Sequence, residues 1–134
     1  MKNRVIIAAS VLVGVFLVGF IPQYVKANRL DTELRQARQA NVGAELRDLI
    51  GLAYVQANQK NYGLAAATTT RFFNRVQYVA NQTADPNARK GLENLLVTRD
   101  KLTAALAKGD AGVIGELQEL FMKTRQATGG SGEQ

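Results

Sequence analysis

The apolar positions of the chain fall into one unbroken run followed by a series of helical stripes. From Val5 to Ile21 no residue is charged, and all but Ser10 are apolar or glycine. As a helix this run spans ~26 Å. With Tyr24 and Val25 beyond Pro22 the element approaches the ~30 Å of a bilayer core. The run has no polar face, which argues against a soluble amphipathic helix. The expectation is a basic tail at residues 1–4 and a transmembrane helix over 5–25. Tyr24 and Lys26 then fall at headgroup depth.

Helical spacing continues to the end of the chain, and strand alternation is nowhere sustained. Residues 26–41 are rich in good helix formers and place Leu30, Leu34 and Ala37 on one face. They are expected to form a stalk, with Asn41-Val42-Gly43 interrupting or kinking it. A first bundle stripe is Val42, Leu46, Leu49, Ile50, Ala53, Tyr54 and Ala57, closed by the polar turn Asn58-Gln59-Lys60-Asn61. A second runs from Tyr62 through Ala65, Thr69, Phe72, Phe73 and Val76 to Ala80. Asn81 to Ala84 reads as a loop; it fits a glycosylation sequon, but is read simply as loop polarity in a chain of bacterial appearance. Asp85 is suited to cap a third helix and Pro86 to begin it. That helix carries Leu92, Leu95, Leu96, Leu102 and Leu106 and ends at Lys108-Gly109-Asp110. Val113, Ile114, Leu117, Leu120, Phe121 and Thr124 mark the last one. The fold class is therefore all-α: one N-terminal transmembrane helix followed by a small antiparallel bundle of about four helices. Two hairpins fill residues 42–127, and 128–134 form a disordered tail.

A faint repeat underlies the hairpins. Ala57 to Asn61 aligns with Leu106 to Asp110, Leu64 with Val113, and Phe72-Phe73 with Phe121-Met122. Gly51-Leu52-Ala53-Tyr54, Asn61-Tyr62, Ala65, Phe72 and Asp85-Pro86 together resemble one tetratricopeptide unit, a family of paired helices. The first turn is longer than that pattern, the second unit lacks the Gly-x-x-Tyr and the alanine, and the spacing exceeds the family's ~34 residues. The resemblance implies a shallow helical surface that binds another protein.

Composition removes most chemistry. The 134 residues contain no cysteine and no histidine. Disulfides, zinc–thiolate sites and the commonest general base are thereby excluded. The two serines, Ser10 and Ser131, lie in the apolar run and the tail, outside the expected bundle. Glu116 with Glu119 and Glu45 with Asp48 are i,i+3 acidic pairs, read as solvated faces, with Arg47 and Lys60 as neighbouring counter-charges of the second. No catalytic residue, cofactor or metal site is expected. The net charge of +6 is spread thinly, without the basic stripe that nucleic acid requires.

The strongest interface candidate is Arg71-Phe72-Phe73-Asn74-Arg75, with Tyr62 nearby. Adjacent helical residues point ~100° apart, so either the stripe is wide or one ring is exposed between Arg71 and Arg75. Ser10 and Gly14 form a small-xxx-small pair suited to helix packing within the membrane. The expected partners are the lipid bilayer and a protein or membrane complex; self-association stays open. The leading reading is a non-enzymatic scaffold or accessory subunit of the bacterial cytoplasmic membrane. Its orientation is ambiguous, because Lys2 and Arg4 precede the span while Lys26, Arg29, Arg35 and Arg38 follow it. A periplasmic bundle is the preferred placement. The alternative is a secreted or periplasmic binding protein released by cleavage at Val25-Lys26-Ala27.

Overall fold

A computed structural model describes residues 2–129, apart from the side chains of residues 2, 5, 8, 9 and 11–28. The described residues are helical apart from short connections: α1 (Lys2–Asn58), α2 (Tyr62–Gln82), α3 (Pro86–Leu96), α4 (Arg99–Ala107) and α5 (Val113–Gly129). The chain divides into residues 1–39 and 40–134. Among the described residues no helix is long and apolar enough to cross a membrane. Most of the Val5–Ile21 run has its side chains outside the described residues.

In the first unit, Leu30 and Leu34 are exposed, and Asp31 pairs with Arg35 at 3.6 Å. Ser10 turns its hydroxyl back to the Ile6 carbonyl at 2.8 Å.

The second unit is a bundle with four legs: the end of α1, then α2, α3 with α4, and α5. Its core is Leu46, Ile50, Ala53 and Ala57 against Phe72, Phe73 and Val76, completed by leucines of α3, α4 and α5. These are the positions the helical spacing selects. α2 packs on α3 and α4, and α5 packs on the same two helices. α5 also returns to α1: a β-carbon placed on Gly43 would lie 3.1 Å from Thr128 Cβ, and one on Gly51 3.6 Å from the Phe121 ring. The legs thus close into a ring, whereas tetratricopeptide hairpins stack as an open series.

The turns repeat the same chemistry. After α1, Lys60 adopts φ 61°, its N–H reaches Ala57 O, and Asn61 N–H reaches Gln56 O at 2.9 Å. After α4, Gly109 adopts φ 65°, its N–H reaches Leu106 O, and Asp110 N–H reaches Ala105 O at 3.1 Å. Both are Schellman endings, in which a left-handed residue satisfies the last carbonyls of a helix. Asn61 and Asp110 then accept hydrogen bonds from the backbone of Leu64 and Gly112. Leu46 and Leu95, Ala53 and Leu102, Ala57 and Leu106 occupy equivalent places in the two hairpins, and all are buried. Asp85 caps α3 through Asn87 N–H, with Pro86 in the first turn, as the sequence implies.

α2 extends through Gln82 into the expected loop 81–84, and three further boundaries differ from the sequence expectation. α1 runs through Asn41-Val42-Gly43 without a break, and Gly43 instead gives α5 room to approach closely. The third helix divides at Val97-Thr98. Here two β-branched residues meet and Thr98 Oγ1 turns to the Leu95 carbonyl at 3.4 Å, a local bond that competes with regular helix. α5 continues through Gly129, so Thr128 belongs to the bundle and not to the tail. Its hydroxyl donates to Thr124 O at 2.7 Å and accepts from Arg47 Nη1 at 2.9 Å. The rest of the expected tail, 130–134, lies outside the described residues.

Candidate functional site

The second unit carries a shallow groove of about 830 Å³ between α1 and α2. One wall is acidic, with Glu45 and Asp48 on α1; the other is basic, with Arg71 and Arg75 on α2. The antiparallel hairpin sets their heights. Glu45 and Arg75 are equally far from the turn residue Lys60, and they meet as an ion pair at 2.9 Å. Asp48 and Arg71 each stand about one helical turn closer to Lys60, so they occupy one level on opposite walls. Both are exposed, and among the described residues no ion pair joins either to another group.

Apolar surface accompanies these charges. Leu52 is 48% exposed and Tyr78 57%, while Leu49 is half-buried. Arg75 also lies 5.3 Å from the centre of the Tyr78 ring, close enough for a cation–π contact. Glu45 and Arg75 therefore satisfy each other and hold α1 to α2, whereas Asp48, Arg71 and the neighbouring Leu52 face solvent.

The expected interface residues separate. Arg71 and Arg75 line the groove. Phe72 and Phe73 are both fully buried, so neither ring is offered to a partner. Their rings meet edge to face at 5.2 Å. Adjacent residues can both be inside because α2 shares the core with α1, to which Arg75 also pairs, and packs on α3 and α4, giving it a wide buried arc. Tyr62 is half-buried against Gly109, 3.5 Å from where a β-carbon would stand on that glycine. It belongs to the end of the bundle and not to the groove. Ser10 is exposed and bonded within its own helix; the side of α1 at Gly14 lies outside the described residues.

Of the other acidic pair, Glu116 finds its counter-charge on another helix and Glu119 finds one a turn further along α5. Glu116 meets Lys101 of α4 at 2.7 Å, and Glu119 meets Lys123 at 2.7 Å. The hydrogen bond to Glu116 raises the Lys101 ammonium above its ordinary 10.5, and the bond from Lys123 holds the Glu119 carboxyl below its ordinary 4.5. Among the described residues no three carboxylates converge as a metal cage would need. The pairing of Glu45 with Arg75 is hidden in the sequence, where Arg47 stands nearer. The available signal was symmetry about the turn, which predicts the partners across an antiparallel hairpin.

Fold and groove together define a closed helical bundle with one charge-segregated face. The chain matches no protein family, no characterised protein and no solved structure.

Proposed function

We propose that this chain is a non-enzymatic scaffold or accessory subunit, anchored in a bacterial cytoplasmic membrane by its N-terminal segment and contacting protein through its helical bundle. The observation that carries the reading is the uncharged run Val5–Ile21 ahead of a bundle with neither histidine nor cysteine. Burying that run in lipid removes a large apolar area from water. Ile6 and Ile7, at its start, are 62% and 63% exposed on the isolated chain, which is costly unless lipid or protein covers them.

The α1–α2 groove supplies the contact surface. Exposed tyrosine beside arginine is a common composition for the centre of a protein interface. In this reading the bundle lies on the periplasmic side, because the short basic start followed by an apolar run is like that of a signal peptide.

Alkaline carbonate extraction followed by intact mass measurement tests the anchor. The full-length chain should stay in the membrane pellet. A soluble chain lacking residues 1–27 would instead establish the secreted alternative. Cross-linking in intact membranes, then purification in mild detergent, identifies the neighbours.

A further inference from the structure

We propose that the groove between α1 and α2 is filled by a second copy of this chain, giving a parallel two-fold dimer in which Asp48 of each copy meets Arg71 of the other. The inference rests on the anchored reading above and names the first partner of that surface. Its starting point is an imbalance within the groove. Glu45 and Arg75 neutralise one another at 2.9 Å. One turn further along, Asp48 and Arg71 stand on opposite walls at one level, exposed and without an ion-pair partner among the described residues.

A face with an acidic wall and a basic wall of equal charge is complementary to itself, but only under one of the two simple rotations. A two-fold axis running across the groove lays α1 on α1 and sets acid against acid. An axis running along the groove lays each α1 on the other copy's α2. It also keeps the height of every residue, so Asp48 arrives opposite Arg71 and Arg71 opposite Asp48. Such an isologous interface forms both contacts at once. Leu52 lies one turn to one side of this level and Tyr78 two turns to the other, past the Glu45–Arg75 pair, and both supply apolar surface that the monomer leaves exposed. Charge complementarity fixes the register, and the apolar flanks add affinity.

The rotation that satisfies the charges has a second property. It leaves the two α1 helices parallel, so the residues leading into position 40 depart from the same end of the dimer. Two chains anchored in one bilayer need this polarity, and the rotation that opposes like charges does not provide it.

Charge reversal with complementation in trans tests the arrangement, using the full chain in mild detergent and sedimentation velocity. The wild-type chain should dimerise. Asp48→Arg and Arg71→Glu should each weaken association at least ~10-fold, because each places like charges opposite one another twice. An equimolar mixture of the two variants should recover wild-type association, since every contact is again between opposite charges. Thermal melting of each variant checks that it is folded, and Asp48→Asn with Arg71→Gln gives milder versions of the same losses. A monomeric wild-type chain overturns the proposal, as does a dimer indifferent to the reversals or a mixture that fails to recover. Carbonate extraction separates this outcome from the anchor: a monomer retained in the membrane pellet sinks the dimer alone, and a dimer released from it sinks the anchor alone.

Discussion

Tyr62, the first residue of α2, lies against Gly109, the left-handed residue that ends α4. The two hairpin turns are therefore neighbours at one end of the bundle, although the sequence separates them widely. The contact explains why position 62 is half-buried just after a polar turn.

The two turns have the same backbone but different residues at the left-handed position. Lys60 bears the steric cost of φ 61°, which Gly109 avoids. Lys60→Gly should raise stability by about 1 kcal/mol, and Gly109→Ala should lower it by about 1–2 kcal/mol. Chemical denaturation of both variants measures the pair. A Lys60→Gly variant weaker than wild type would contradict the shared turn geometry.

Glycines within helices separate by what surrounds them. A side chain at Gly43 meets Thr128 at 3.1 Å, whereas nothing lies within 4 Å of a β-carbon on Gly115. Gly43→Leu should cost about 1–3 kcal/mol by forcing α5 away. Gly115→Ala should gain about 0.5–1 kcal/mol from helix propensity alone. Thermal melts that rank the two variants in the opposite order would show that the α1–α5 approach is misplaced.

Arg71 and Phe72 are adjacent in sequence and opposite in environment. Phe72→Ala empties a fully buried site and should cost about 3–5 kcal/mol. Arg71→Ala removes an exposed side chain and should change stability by no more than about 0.5 kcal/mol. Urea titration resolves the difference readily. Comparable losses in both would mean that Arg71 is structural.

The pH profile follows from two lysine–carboxylate pairs. Glu119 is depressed in the folded chain, so its contribution is present above the ordinary value of 4.5 and is lost as pH falls through the lower folded value. Lys101 is raised, so its contribution is present below 10.5 and is lost as pH rises through the higher folded value. Both groups are solvent-exposed, which keeps both effects small. With no histidine in the chain, the melting temperature should be level between about pH 5 and about pH 9. A step near neutrality would point to a buried group that titrates unexpectedly.

Helical spacing carries much of this fold on its surface. Leu46, Ile50, Val76, Leu95, Leu102 and Leu117 fall inward because a period of 3.6 leaves them no other common face. The cap at Asp85 and the stop at Gly109 are equally readable, since each residue type answers a particular backbone need. What periodicity conceals is which helix a residue meets. Arg47 stands beside Glu45 and Asp48 in the sequence, yet it reaches Thr128 of α5. Glu45 is paired from α2 by Arg75. The division at Val97-Thr98 is hidden for a different reason: Leu95 and Leu102 keep helical spacing across it. The groove, too, emerges only once two helices are laid side by side.

The bond between Arg47 and Thr128 joins positions 81 residues apart. Each hairpin closes over a short turn and assembles from contacts that are local in the chain, which favours rapid formation. The α1–α5 seam must await both hairpins and pays the largest loop-closure entropy in the bundle. That separation predicts a joint that opens first, with amide protons in the final turn of α5 exchanging with solvent ahead of those in α2.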